Sequence, residues 1–374
     1  MKEHFQKWGD FLIIILIFSA FTCSKNPVAP TDINTLIRAV MEEDNIPSLV
    51  VCIIKNDRIV WSSTNGLANI EDDIPATDET IYILGSVSKL IVLTAVMQLH
   101  EQGLINIDED INNYLSFSVR NPHYPDEIIT TRMLLTHYSS VGRDYNPIYY
   151  RLYIGEPSPP LDPWVKETLF PGGTEYFQGA WNNTAPGEQE SYSNLGVALL
   201  GCLVEAVTGE LFDEYCKKNI FQPLNMFNTS FRMADLNEDD LAMPYARNLS
   251  PYGHYEVRSF PSGGIRSSIN DFSHFYIAYM NGGVYEGSRI LEEDTIEETL
   301  RIQYSNSQRC LIWFAMDNGW YGHSGSVPGM SAFTSFHKDD KAAILIYANG
   351  EVMPSIGPYS TIYTLLQAEA LKYQ

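Results

Sequence analysis

The chain reads as a mixed α/β (α+β) fold: an antiparallel sheet flanked by helices, with a mostly helical subdomain inserted between its strands. Three observations point there. Strand-like patterns gather near both ends of the chain, at residues 49–63 and 331–348. The stretch from about 86 to 220 is helix-and-loop in character and rich in Pro and Tyr. The composition, 45% apolar and 19% charged, is that of a packed globular protein.

Residues 1–32 stand apart from that fold. Lys2 and Lys7 precede an unbroken apolar run from Phe11 to Phe18, and Ser19-Ala20-Phe21-Thr22-Cys23 follows. A charged start, a short apolar stretch and small residues describe an export signal over residues 1–23. The run is shorter than the about 20 apolar residues a transmembrane helix requires. It closes on Cys23 in a way that resembles a bacterial lipoprotein signal, which makes Cys23 a candidate lipidation site. Phe21, Thr22, Glu3 and Asp10 depart from that pattern. Residues 24–32, with Pro27 and Pro30, read as a tether. The expected location is the bacterial envelope, periplasmic or lipid-anchored, with membrane contact only through this segment.

From residue 33 to 374 the elements follow in order as one domain. Ile33 to Glu43 has helical spacing. Leu49–Lys55 and Arg58–Ser63 flank Asn56-Asp57, a turn-forming pair between apolar runs, and so predict a β-hairpin. Ser86 to Gln102 predicts a helix, opened by a capping serine and closed by Gly103. Its middle, Leu90 to Met97, is apolar nearly all round, which places it in the core. Asn194 to Thr208 is a second apolar helix, stopped by Gly209. Ser331–His337 and Ala342–Ala348 read as strands around the turn-like Lys338-Asp339-Asp340-Lys341, and a last helix runs from about Ser360 to Lys372.

Charge and cysteine usage exclude several functions. A net charge of −22 leaves no basic surface for nucleic acid or an anionic membrane. Cys52, Cys202, Cys216 and Cys310 form no CxxC pair and have no His at zinc-ligand spacing, so no metal is expected. Cys52 and Cys202 lie in apolar runs and read as core thiols, while disulfide pairing stays open. No phosphate-cradling glycine loop precedes a helix, so no cofactor is expected.

The first chemical candidate is Ser86-Val87-Ser88-Lys89. On a helix, i and i+3 share a face, so the Ser86 hydroxyl and Lys89 amine can meet. Lys89 sits among Leu90, Ile91, Val92 and Leu93, where an unpaired ammonium is costly. To act as a base near neutrality, a lysine must fall about 3 units from its reference of about 10.4, worth about 4 kcal/mol. Burial in such a helix supplies that kind of shift. A second copy of the pattern, Ser335-Phe336-His337-Lys338, falls in a strand, where i and i+3 point to opposite faces.

Two further candidates follow. Tyr192-Ser193-Asn194 lies in a loop just before a helix; a tyrosine there can relay a proton, and Asn194 can orient Lys89 and a substrate amide. Tyr-x-Asn recurs at Tyr279, Tyr304 and Tyr347, so context rather than spacing selects Tyr192, and taken alone the pair also reads as an asparagine cap beside an incidental tyrosine. Gly322-His323-Ser324-Gly325-Ser326 is glycine-rich before the strand near Ser331, and glycines let a backbone approach a ligand closely. There the Ser326 N–H can join that of Ser86 as an oxyanion hole.

Ser-x-x-Lys, then Tyr-x-Asn about a hundred residues on, then a basic-x-Gly near C-terminal strands resembles the penicillin-recognising serine hydrolases. Specifically it is similar to the class C β-lactamase-related family of D-Ala-D-Ala carboxypeptidases, D-aminopeptidases and esterases. Met133-Leu134-Leu135-Thr136-His137, Pro186-Gly187 before Ser191-Tyr192-Ser193-Asn194, and Ser262-Gly263-Gly264-Ile265 extend the resemblance over roughly residues 33 to 372. It implies a β-lactamase/transpeptidase-like fold, Ser86 as nucleophile, Lys89 and Tyr192 in proton transfer, and Asn194, His323, Gly325 and Ser326 in substrate binding. His323 departs from the Lys that β-lactamases of this type carry against the substrate carboxylate. With an ordinary imidazole pKa near 6.5, His323 should serve anionic substrates better as pH falls toward about 6. The loop Thr136-His137-Tyr138-Ser139-Ser140 departs from the usual Thr-Ser-Gly ending and reads as structural.

The expected function is hydrolysis of an ester or amide (a D-amino-acid peptide, ester or lactam) through an acyl-enzyme. The expected partner is a small-molecule or peptide substrate, peptidoglycan fragments among them. The alternative is a catalytically inactive cell-wall or penicillin-binding module on the same scaffold.

Overall fold

The computed structural model describes residues 33–142, 152–154, 160–305, 307–352 and 358–373. The expected export signal, Cys23 and the tether lie outside these residues.

The two ends of the chain build one seven-stranded antiparallel sheet. Its strands are β1 (Ser48–Lys55), β2 (Arg58–Asn69), β3 (Ile74–Pro75), β4 (Phe314–Ala315), β5 (Trp320–Val327), β6 (Met330–His337) and β7 (Ala342–Ala348), in the spatial order β4-β5-β6-β7-β1-β2-β3. The central pairing joins residues nearly three hundred apart, Leu49 opposite Ala348 and Lys55 opposite Ala342. The Asn56-Asp57 turn forms as expected, with φ of 47° and 71°, left-handed values that Asn and Asp tolerate. β2 runs six residues beyond the expected Ser63 because its far half pairs with β1 and β3 while lying half-exposed.

β1 is apolar without alternation because both its faces are covered, and every residue in it is buried. Leu49, Val51 and Ile53 pack with Ile344 and Ile346 under α1 (Ile33–Asp44) and the C-terminal α6 (Pro358–Ala370). Val50, Cys52 and Ile54 face the larger core, which contains α2 (Ser88–Glu101), α4 (Asn194–Thr208) and α5 (Ile269–Met280). Between α2 and α4 lies the short helix α3 (Thr131–Leu135). Every residue of α2 from Ser88 to Leu99 is buried, as its all-round apolar middle predicts. Phe272, Phe275, Tyr276 and Tyr279 of α5 fill the space between α2 and the sheet, where Tyr276 and Tyr279 pack on Trp313 and Phe336.

α4 begins and ends where its sequence predicts. Gly209 terminates it at φ 71° and donates to the Glu205 carbonyl at 2.9 Å. The cap at its start is Ser193, whose hydroxyl accepts from the Gly196 N–H, rather than the asparagine that follows. Cys52, Cys202, Cys216 and Cys310 are free and buried, so none of them is disulfide-bonded.

Candidate active site

Ser86 does not cap α2 as its position suggests. It sits in the middle of a 3-10 turn, Gly85–Val87, that runs directly into the helix. The turn is held from both sides. Ser88 donates to the Gly85 carbonyl at 2.6 Å and accepts from the Ile265 N–H at 3.0 Å, and the Leu84 N–H reaches the Ile265 carbonyl at 2.9 Å. With Ser88 in that service, the Ser86 hydroxyl is spared capping and meets Lys89, whose ammonium donates to it at 3.0 Å.

Lys89 has no exposed surface and also donates to the Ser262 carbonyl at 2.5 Å. Ser262 belongs to the one-turn helix Phe260–Gly263, which starts the Ser262-Gly263-Gly264-Ile265 segment. The same nitrogen lies 4.9 Å from the centre of the Tyr192 ring. Ser86, Lys89 and Tyr192, separated by about a hundred residues of chain, therefore converge.

Tyr192 is carried by the extended segment that enters α4, and this segment is pinned along its length. The Ser193 hydroxyl donates to the Gly142 carbonyl at 2.9 Å, and the Ser193 N–H donates to His137 Nδ1 at 3.3 Å. The His137 ring packs on the Tyr192 ring, 4.4 Å between centres. His137 takes φ 63°, and the Ser191 N–H donates to its carbonyl at 2.7 Å. The loop read as structural seats Tyr192. Burial holds the His137 imidazole well below its ordinary pKa, with Arg309, Lys89 and His323 adding to the effect. Asn194, the first residue of α4, is buried beside this segment.

His323 lies within β5, paired with Thr334, where the sequence suggests a glycine-rich approach to a strand. Glycine lowers strand propensity, but cross-strand pairing on the β6 side overrides it. The imidazole is buried and pushed down to about 3, first by burial and then by the charges of Lys89 and Arg309. Its Nδ1 is 2.7 Å from the Ser324 carbonyl, which can only accept, so Nδ1 carries the proton. Nε2 is then a lone-pair acceptor, buried and without a partner. The expected gain in charge at His323 near pH 6 is therefore overturned, because the imidazole is neutral well below that.

Gly325 and Ser326 meet the Gly85–Val87 turn through the backbone. A Cβ on Gly325 would lie 1.8 Å from the Leu84 carbonyl oxygen and 2.8 Å from the Ser86 nitrogen. Gly85, at φ 53°, approaches equally closely, since a Cβ there would lie 2.6 Å from the Ser326 nitrogen. Val327 and Met330 close a two-residue hairpin, so the next pair, Ser326 and Ser331, is of the kind that exchanges no hydrogen bonds. The Ser326 N–H accordingly points away from β6, toward the Ser86 turn. The backbone nitrogens of Ser86 and Ser326 thus both lie at the contact between β5 and the Gly85–Val87 turn.

Two residues of the site have no sequence signature. Arg309 is 2% exposed and gives Nη2 and Nε to one oxygen of Glu190, at 2.6 and 3.1 Å. Its partner stands two residues before Tyr192. No motif or periodicity marks either residue. The decoy, by contrast, separates as expected: Ser335 is buried in β6 and accepts from Tyr363, while Lys338 pairs with Glu297. A cavity of about 330 Å³ between the loop at Tyr114–Phe117 and α4 shares no lining residue with this cluster.

The fold is that of the serine hydrolases. The chain belongs to the Beta-lactamase family, whose profile matches residues 33–369. It is 24% identical over 352 residues to PbpX of Bacillus subtilis (strain 168), which carries the name of a penicillin-binding protein. That match spans 92% of this chain and 82% of PbpX. It is 23% identical over 336 residues to the protein flp of Staphylococcus aureus (strain MRSA252), covering 87% of this chain but only 64% of flp. Among solved structures, the octameric penicillin-binding protein homologue from Pyrococcus abyssi matches with a TM-score of 0.70 at 25% identity, over 90% of this chain and 76% of that one. A class C beta lactamase from Rhodobacter sphaeroides matches in fold, with a TM-score of 0.72 at 21% identity over 91% and 99%.

Proposed function

We propose that the chain hydrolyses an ester or amide through a covalent intermediate on Ser86. The observation that carries this reading is the contact between the wholly buried Lys89 nitrogen and the Ser86 hydroxyl at 3.0 Å. A buried amine is the form burial favours, and with the amine neutral the same contact runs the other way, the hydroxyl donating. Ser86 Oγ then attacks the substrate carbonyl as its proton passes to the Lys89–Tyr192 pair. The oxyanion accepts from the N–H groups of Ser86 and Ser326, and it collapses as Tyr192 returns the proton to the leaving group. Water releases the acyl group by the same steps in reverse order. Asn194 meets the substrate amide.

His323 narrows the substrate. A neutral imidazole offering a lone pair at Nε2 repels a carboxylate and welcomes a hydrogen-bond donor. Neutral esters and peptides that present an N–H or O–H there are favoured over substrates bearing a carboxylate at that position. The test is labelling with a fluorophosphonate and a fluorescent penicillin, followed by turnover of p-nitrophenyl esters. Ser86→Ala should abolish the adduct and lower turnover by about a thousandfold or more, with stability changed by about 0.5 kcal/mol or less. Equal labelling of a folded Ser86→Ala variant defeats the reading. An adduct on Ser86 with no turnover of esters, D-peptides or a cephalosporin makes the protein a binding module instead.

A further inference from the structure

Arg309 and Glu190 belong to two separate segments that meet beside the Ser86–Lys89–Tyr192 cluster. Glu190 is in the segment that carries Tyr192 into α4. Arg309 lies in the strand-like stretch that bridges to Phe314 of β4, and Phe314 pairs with Gly322 beside His323. The guanidinium carbon sits 3.5 Å from the Phe314 ring centre, and Phe314 in turn packs beside the His323 ring at 6.0 Å. A third donor, Nη1, reaches the Ile312 carbonyl at 3.3 Å. Ser307 supports both partners, accepting from the Arg309 N–H at 2.9 Å and donating to the second Glu190 oxygen at 3.4 Å.

A guanidinium this deeply buried is costly to desolvate, and an apolar pair of similar volume would hold the two segments together at least as well. The charge therefore calls for a use beyond adhesion. Its field reaches Tyr192, His137 and His323. The charged and titratable groups around Tyr192 include Lys89 from α2, His137 from the loop after α3, and Arg309. Glu190 is the carboxylate set against Arg309, and both act on the neighbouring Tyr138. Arg309 stays cationic at every working pH, unlike the histidines, which are held neutral.

We propose that Arg309 is a positioning residue of the acyl-transfer site: through Glu190 it ties the Tyr192 segment to the hairpin carrying His323, and it supplies a permanent positive charge that favours the deprotonated base. This rests on the hydrolase reading above. Glu190 tempers the charge, so the two members of the pair act on the base with opposite sign.

The test is the pH dependence of kcat and KM for a neutral p-nitrophenyl ester, measured on the full chain and on Arg309→Met, Arg309→Lys and Glu190→Gln. Activity falls on the acidic side as the base takes up its proton. Losing the cation makes that proton harder to remove, so Arg309→Met should move the acidic limb upward by about one pH unit. Its kcat near neutrality should fall about tenfold, with KM within about threefold. Glu190→Gln should move the limb downward, and Arg309→Lys should restore its position while recovering only part of kcat. Limbs that stay in place, or that shift in the same direction in both the Arg309→Met and Glu190→Gln variants, would overturn the proposal. Should Arg309→Met fail to fold, Glu190→Gln decides: a downward shift supports the proposal and an unmoved limb ends it. A wild-type chain that neither labels nor turns over sinks the hydrolase reading itself, which is a separate outcome.

Discussion

His137 and His323 flank the Ser86–Lys89–Tyr192 cluster as neutral imidazoles, and this has consequences for stability as well as for the proposed substrate choice. Both have folded pKa values below the unfolded value of about 6.5, His323 at about 3, because burial penalises their charged forms. Below about 6.5 the unfolded chain binds protons that the folded chain refuses, so stability falls as pH drops through that window. His323→Gln keeps a neutral donor for the Ser324 carbonyl and removes the titration. The wild-type melting temperature should therefore fall more steeply than the variant's between about pH 6.5 and 4, with the two curves parallel above 7. Asp271 contributes the opposite slope, since burial raises it to about 6, but it is common to both proteins and cancels in the difference. Parallel melting curves throughout would mean that His323 titrates alike in the folded and unfolded states, so that its imidazole is not held neutral by burial. On the activity side, the preference for neutral over carboxylate-bearing substrates should be flat between about pH 5.5 and 8.

At the scale of elements, the site depends on a backbone approach that side chains would forbid. β5 presses on the Gly85–Val87 turn with no room for a Cβ at Gly325, whose nearest obstacle is the Leu84 carbonyl, a backbone atom that cannot swing aside. Gly325→Ala should cost about 1–3 kcal/mol, as overpacking of a tight contact does. It should also part the two backbone donors and lower kcat by about a hundredfold, the scale of losing one oxyanion donor. The pair of measurements is a thermal melt and ester kinetics. A variant that melts and turns over like wild type would show that the donors do not meet there. Ser86 illustrates how an element boundary can mislead: a serine at a helix start reads as a cap, yet Ser88 takes the local hydrogen bonds and leaves the Ser86 hydroxyl to Lys89.

The whole molecule is closed by one buried asparagine. Asn349, just past β7, accepts from the Ser48 N–H and hydroxyl, both at 2.7 Å, and donates to the Leu67 and Ala68 carbonyls at 3.1 Å. The Ser48 hydroxyl also contacts Tyr82 at 2.8 Å, on the approach to the Gly85–Val87 turn. This network joins β1, β2 and the end of β7. Asn349→Ala strands several buried polar groups at once and should destabilise the fold by about 2–4 kcal/mol in urea unfolding. A loss below about 0.5 kcal/mol would mean that the sheet ends close without it.

The sequence by itself determined the elements whose signals are local. The Asn56-Asp57 hairpin, the all-buried α2, α4 with its Gly209 stop, and the paired C-terminal strands all follow from periodicity, turn chemistry and caps acting over a few residues. It also pointed to Ser86, Lys89, Tyr192 and His323, because a helix face and short motifs bring reactive groups to recognisable spacings. Only the tertiary structure decided what lies between those motifs. That His137 seats Tyr192, that Arg309 faces Glu190 and that His323 is neutral depend on contacts across fifty to more than two hundred residues. Burial sets a pKa and brings a guanidinium to a carboxylate, and burial at a given position is a property of the packed whole that no window of the chain encodes.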